Sequence, residues 1–352
     1  MMPKLICLIL LLALLLTGCA ADPPEQSAAP APAAETAAPA PEDTPSPTEA
    51  PRAFTDADTA AMSSYMSANR WLIDGERMYG LDYDEALRPA LVSYSLRGGK
   101  PTKFRVLCRD CVPEYLALDG ERLYFLCGGE LRRCDLKKKS CETLLGGGLQ
   151  SLQLYEGSLY FTDADGAYRR ADLDAQNAEL LLEGPCGYAW AMPEGVLYQS
   201  ESEGRCLRLR LWDGTDLRLT AAASYAPLRL GDTVWYSQRD GEGSVLASVS
   251  LADGTVTRCE TAELRGAAEL IPTPEGWALR VFLAGDGWRQ QLLRPGETEG
   301  AALPYSGYRL CDFVGTDCRV DAAYDPDGRL RCFVLADAEG GELRFFGGEP
   351  TE

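Results

Sequence analysis

Apolar and polar residues alternate along this chain in short runs separated by turn residues. The clearest example spans Ser151 to Glu183. "SLQLY" (Ser151–Tyr155) alternates and predicts a strand, and Glu156-Gly157 predicts a turn. "SLYFTDA" (Ser158–Ala164) predicts a second strand, closed by Asp165-Gly166, a strong hairpin pair. "AYRRADL" (Ala167–Leu173) and "AELLLE" (Ala178–Glu183) predict a third and a fourth, joined through "DAQN". Four antiparallel strands thus fit into 33 residues.

The same pattern recurs. Asp-Gly-Glu-Arg occurs at Asp74–Arg77 and again at Asp119–Arg122, each time followed by an apolar-aromatic pair. Such pairs fall at Met78-Tyr79, Leu123-Tyr124, Leu159-Tyr160, Leu197-Tyr198 and Trp235-Tyr236, their second members 45, 36, 38 and 38 residues apart. Asp-Gly turns recur inside "LRLWDGTDLRL" (Leu209–Leu219) and "SVSLADGTVT" (Ser248–Thr257). Seven units are counted, starting near Ala68, Pro113, Ser151, Gly187, Ala226, Ala267 and Tyr308, the last two divergent. A period near 40 with four strands per unit predicts an all-β chain, a β-propeller of four-stranded antiparallel blades. Seven blades fit the count best, with six or eight as alternatives and an ordinary two-domain β protein as the rival architecture. A sheet packed between two neighbours must bury both faces, so the apolar-aromatic pairs are read as core between blades.

Tyr160-Phe161-Thr162-Asp163 resembles the YWTD repeat of low-density-lipoprotein-receptor-like propellers, and the region from 68 to 350 resembles bacterial secreted propellers of that type. The equivalent positions elsewhere are diluted, reading Tyr124-Phe125-Leu126-Cys127 and Tyr198-Gln199-Ser200-Glu201. The resemblance implies a propeller and a binding role, and it carries no catalytic residue over. The receptor propellers have six blades, against the seven counted here.

The N-terminus reads "MMPKLICLILLLALLLTGC". Lys4 begins a positive segment and Leu5–Leu16 is a 12-residue apolar run, suited to a secretory signal and short of the roughly 20 residues that span a bilayer. Leu16-Thr17-Gly18-Cys19 resembles a bacterial lipobox, which implies cleavage before Cys19 and a diacylglycerol on its thiol. The alternative is an ordinary signal peptide with an incidental cysteine. Residues 20–53 carry nine prolines and no aromatic, Val, Ile or Leu, so they cannot bury enough surface to fold. The organisation expected is a signal peptide over 1–18, a lipidated Cys19 with a Pro/Ala-rich stalk over 19–53, and a propeller over 54–352. The expected location is extracytoplasmic, anchored to the bacterial membrane through Cys19. "TDADTAAMSSYMSANR" (Thr55–Arg70) lies outside the repeat and predicts a short helix or irregular lead-in, the alternative being a strand that closes the ring against "GELRFFGG" (Gly341–Gly348).

Composition narrows the chemistry. The formal net charge of −19 speaks against nucleic acid, whose phosphates are bound by Lys and Arg. The chain has no histidine, which excludes Ser-His-Asp and Cys-His catalysis and every His-ligated metal. No catalytic, cofactor-binding or metal-ligating residue can be assigned. Of 13 cysteines, Cys7 and Cys19 belong to the signal and the anchor. Cys108-Arg109-Asp110-Cys111 is a C-x-x-C that could serve as a redox pair, half a zinc site or a local disulfide, but no second C-x-x-C accompanies it and it lies between units rather than at a helix N-terminus; buried, small apolar cysteine is the default reading for most of the remaining eleven. A two-residue turn at Lys137-Lys138 would set Cys134 and Cys141 opposite one another, either as small core residues, as Ala171 and Ala178 are read in the next unit, or as a cross-strand disulfide. "TDADG" (Thr162–Gly166) and "DPDG" (Asp325–Gly328) resemble starts of calcium loops but lack the further ligands, and they read as turns. Lys137–Lys139 reads as a solvated hairpin tip. Six Trp and 16 Tyr read mainly as core, with a ligand-facing aromatic platform as the sharper reading.

The expected function is therefore a monomeric, membrane-anchored binding module for a protein, peptide or glycan partner. Its rivals are a carboxylate-based carbohydrate-active enzyme, which needs two acids in a central funnel, and a scaffold subunit of an envelope assembly complex.

Overall fold

The computed structural model describes residues 52–97, 102, 104–241, 243–259, 264, 268–283, 289–294, 297, 300–303, 308–313, 318–324, 330–337 and 342–345. The expected signal segment, Cys19, the expected stalk up to residue 51 and the expected turn at Asp325–Gly328 lie outside them.

Seven four-stranded antiparallel sheets follow one another, each made of four consecutive strands. Their first strands are Trp71–Asp74, Pro113–Asp119, Ser151–Tyr155, Cys186–Met192, Ser224–Leu230, Glu269–Thr273 and Tyr308–Phe313. Each begins within three residues of the unit start expected from the sequence. The first strands of blades one and two, two and three, three and four, and seven and one adjoin, so these strands surround the centre of a seven-bladed propeller.

The turn chemistry differs from the expectation in one detail. Asp74 pairs with Arg77, so the two-residue turn is Gly75-Glu76, and the Asp is the last strand residue. Gly75 and Gly120 carry φ of 56° and 57°, left-handed values that glycine adopts without penalty. In blade three, Glu156 and Gly157 are both left-handed, as a type I′ hairpin turn requires.

Every apolar-aromatic pair is buried. Tyr79 packs with Leu123 and Phe125 between blades one and two, and Tyr124 with Leu159 and Phe161 between two and three. Tyr160 and Tyr198 share the cluster between three and four, and Leu197 and Tyr236 that between four and five. Burying such a side chain is worth roughly 1.5–3 kcal/mol, so the repeat is written in the residues that weld blade to blade.

Among the described residues no strand is exchanged to close the ring. Glu342–Phe345 pairs inside its own sheet, with Leu330–Asp337. Closure is by packing: the rings of Trp71 in blade one and Phe333 in blade seven meet edge to face, 5.0 Å between centroids. Gly80, paired opposite Trp71, makes room for the indole, because a Cβ there would lie 2.1 Å from the ring.

Thr55–Arg70 supplies the helix. Helix α1 spans Asp56–Met66 behind a capping box, in which the Asp58 amide donates to Thr55 Oγ1 and the Thr55 amide donates to Asp58 Oδ2 at 2.8 Å. The helix lies against the inner strands of blades three, five, six and seven. Its Tyr65 OH donates to Ala189 O in blade four, and in the segment that follows the helix Asn69 Nδ2 donates to Leu116 O and Trp71 O in blades two and one. α1 therefore plugs the centre of the ring. An 11-residue helix is marginal alone in water, so the ring holds it as much as it holds the ring.

Candidate ligand-binding cleft between blades one and two

The plug decides what the centre can do. Met62 is fully buried, Ser63 Oγ donates to Leu270 O at 3.2 Å, and the Tyr65 hydroxyl donates to Ala189 O at 2.6 Å. At the N-terminal end of α1, Arg52 grips Asp58 with two bonds of 2.7 Å. Arg229, its side chain 1% exposed, grips Glu194 at 2.7 and 2.9 Å and lies under the Phe54 ring at 4.0 Å. Burial pushes Asp58 and Glu194 up, and their arginines, joined at Asp58 by the Thr55 hydrogen bonds, more than reverse it, so both carboxyls titrate below the usual range. The pair of free carboxylates that a glycosidase would place in a funnel is not present there among the described residues.

A cavity of about 770 Å³ lies outside the centre, between blades one and two. Its walls are the second to fourth strands of blade one (Arg77–Tyr83, Pro89–Ser95, Phe104–Arg109) and the Leu136–Lys139 turn of blade two. Strand register fixes which side chains converge. Arg77 pairs with Ser95 and Tyr79 with Ser93, which sets the two hydroxyls beside the guanidinium and the phenol. Arg77, Arg97, Arg105 and Lys139 line the cavity against one carboxylate, Glu76. Glu76 is held by Arg97 Nε at 3.0 Å, while Arg77, Arg105 and Lys139 form no ion pair among the described residues. The Tyr79 hydroxyl is buried with no hydrogen-bond partner of ordinary geometry. The Arg77 guanidinium lies beside it, and that pairing raises the Arg77 pKa. Below them Tyr94 donates its hydroxyl to Asp82, so its ring is buried and closed to a ligand. The cleft can therefore take an anion, held by its guanidinium and ammonium groups.

The cleft opens on the face that carries the inner hairpin turns. The chain enters α1 from the same face: Arg52 reaches Glu156 in the blade-three inner turn, and Phe54 covers Arg229 at the end of the blade-five inner strand.

The lysine run was read from the sequence as a solvated tip. Lys137 and Lys138 fit that reading, their amides donating to Asp135 Oδ1, while Lys139, left-handed with φ 63°, reaches the cleft. Sequence alone missed Lys139, Arg77 and Arg105 as partners, because they converge only when blades one and two pack. The turn around Lys137-Lys138 spans four residues rather than two, yet it sets Cys134 directly opposite Cys141, Cα atoms 4.0 Å apart and bridged by a disulfide. In "TDADG" the Asp163 carboxylate accepts from the Asp165 and Ala167 amides and from Arg169, so its oxygens are spent on the turn. Trp71, Trp190, Trp235 and Trp277 are core, and Trp212 is 45% exposed. Trp288 lies outside the described residues, and a single open indole among those described does not make an aromatic platform.

No family model matches the chain, and no curated protein matches it. Solved structures do. A puromycin-hydrolysing peptidase of Mycobacterium tuberculosis aligns with a TM-score of 0.60 at 13% identity, over 83% of this chain and 56% of its own. This chain thus spans little more than half of that protein. The β-propeller domain of the Trilobed protease from Pyrococcus furiosus, described as having an open velcro topology, aligns at 0.57 and 13% identity over 80% of this chain and 98% of its own. An oligogalacturonate lyase in complex with manganese aligns at 0.52 and 13% identity over 78% and 86%. At such identities the likeness shows the propeller fold and nothing of the chemistry.

Proposed function

We propose that this chain is a membrane-tethered extracytoplasmic binding module, and that the cleft between blades one and two receives an acidic segment of a partner protein. The observation that carries the reading is local charge reversal. In a chain of net charge −19, four cations converge on one cavity with a single carboxylate among them. Gathering like charges costs free energy unless an anion answers them. A glycan fits less well, because the two rings at the cleft, Tyr79 and Tyr94, are buried and leave no face for a sugar to stack on. The YWTD-like Tyr160–Asp163 segment supports a binding role by resemblance.

Tethering rests on the lipobox-like Leu16–Cys19 and the Pro/Ala-rich composition of the segment that follows it. Cys19→Ala is expected to release the chain from membranes, and release of neither chain nor lipid label would remove the anchor from the account. The Cys134–Cys141 bridge suits the same compartment, and peptide mapping without reductant checks it.

The cleft is tested by zero-length carbodiimide coupling on membranes bearing the full chain, which joins the Lys139 amine to a partner carboxylate. The adduct is expected to map to Lys139 and to disappear in Lys139→Gln and in Arg105→Glu. An adduct unchanged in both variants would overturn the assignment.

A further inference from the structure

We propose that Cys108 and Cys111 form a thiol–disulfide exchange site, open on the face of the ring opposite the anion cleft, that acts on a disulfide-bonded substrate. Cys108 sits near the end of the outer strand of blade one, paired with Leu91, and is half-exposed. The chain then turns at Asp110, left-handed with φ 51°, and drops Cys111 into the core between blades, its amide donating to Pro89 O at 3.0 Å. The turn leaves the two thiols close enough for each to shift the other's ionisation. Arg132, from blade two, places Nη1 3.5 Å from the same sulfur. Cys127 lies against Cys111 on its inner side. Val112, 40% exposed, offers apolar contact beside the site.

The two thiols are made unequal, as exchange chemistry needs. The neighbouring Cys111 thiol and the Arg132 guanidinium favour the Cys108 thiolate, against burial and the Asp110 charge, and bring it down to about 6. The Cys111 thiol is pushed up by the Cys108 sulfur, by burial and by Cys127. The other charges facing the pair are Glu130, which holds Arg132 at 2.7 Å, and Arg88, which holds Asp110 at 3.4 Å. No helix N-terminus is needed, because an arginine from the neighbouring blade supplies the positive field.

The chemistry balances within the site. The Cys108 thiolate attacks one sulfur of a substrate disulfide, forming a mixed disulfide and expelling one substrate thiolate. The Cys111 thiol gives its proton to that thiolate and attacks Cys108 Sγ, expelling the second. The products are a Cys108–Cys111 disulfide and a reduced substrate dithiol, two electrons having passed from chain to substrate.

The test uses the full chain, reduced, with oxidised glutathione in one arm and a disulfide-linked peptide pair in the other, read by peptide mass. Wild type is expected to finish with Cys108 joined to Cys111, Cys111→Ser to trap the mixed disulfide on Cys108, and Cys108→Ser to form neither. The faster arm identifies the substrate as a small-molecule or a peptide disulfide. Iodoacetamide labelling of Cys108 is expected to titrate near pH 6. Arg132→Met is expected to slow that labelling roughly three- to tenfold near neutral pH, with Arg132→Lys restoring much of it and the variants converging at high pH. If Cys111→Ser does not fold, wild type and Cys108→Ser still decide. No Cys108–Cys111 disulfide in either arm, or labelling that titrates like an ordinary thiol and ignores Arg132, would overturn the proposal.

Discussion

The Tyr65 hydroxyl donates to the Ala189 carbonyl across 2.6 Å, joining the plug helix to the inner strand of blade four. Both groups are buried, so the bond is part of how a lead-in segment became the axle of the ring. Tyr65→Phe leaves the carbonyl without its donor and is expected to cost about 1–2 kcal/mol. Met62→Ala, which empties a fully buried site on the same helix, is expected to cost about 2–4 kcal/mol. Urea unfolding of both variants checks this. If the helix merely rests in the channel, both would unfold with wild type.

Among the described residues, ring closure rests on Trp71 against Phe333 and no strand is shared. Phe333→Ala is expected to lose about 3–4 kcal/mol. Gly80→Ala, whose methyl would collide with the Trp71 ring, is expected to lose about 1–3 kcal/mol through overpacking. Thermal melts of the two variants, with tryptophan fluorescence as the probe, read both.

Blades three and four are stitched by one side chain. Gln153 Nε2 donates to Ala191 O at 2.7 Å while its Oε1 accepts from the Ala191 amide at 2.8 Å. A side-chain amide here makes the two bonds a neighbouring strand would make. Tyr168 adds a third bond to Gln153 Oε1 at 3.0 Å. Gln153→Leu strands three buried groups and is expected to cost about 3 kcal/mol or more, while Gln153→Glu keeps only the acceptor and falls between. Equal stability of the leucine variant in denaturant would contradict this.

Asp84 should report in acid. It accepts from the Arg88 and Ala86 amides and from the Arg88 and Arg109 side chains at 2.8 Å, and the Arg88 amide leads these in drawing its pKa down to about 2. A carboxyl whose folded pKa is depressed stabilises fully above its unfolded value, about 3.9, and loses that as pH falls through the folded one. The stability gap between wild type and Asp84→Asn is thus expected to close between about pH 4 and about pH 2. A gap constant across that window would mean the charge of Asp84 contributes nothing.

Much of the ring was legible in the sequence because it is written in repeated local terms. The alternation in Ser151–Tyr155, the Glu156-Gly157 turn and the spaced pairs ending at Tyr79, Tyr124, Tyr160, Tyr198 and Tyr236 each follow from nearby residues. The plug was not legible. Thr55–Met66 shows a capping box and small polar residues, but nothing local says that Ser63 and Tyr65 will find backbone carbonyls at Leu270 and Ala189. The cleft was hidden for the same reason, since Arg77, Arg105 and Lys139 come from three strand ends in two blades. Cys108 read as a bare C-x-x-C because its partner Arg132 is 24 residues away.

The central claim is that an acidic chain carries one anion-selective cleft. The most direct measurement is fluorescence anisotropy of a short oligoglutamate peptide titrated with the full chain, beside an oligolysine peptide of equal length. Bulk charge at −19 favours oligolysine. The account predicts saturable oligoglutamate binding that weakens with salt and falls roughly tenfold or more in the Arg105→Glu, Lys139→Glu double variant. Binding of oligolysine alone, or oligoglutamate binding indifferent to the two reversals, would contradict it.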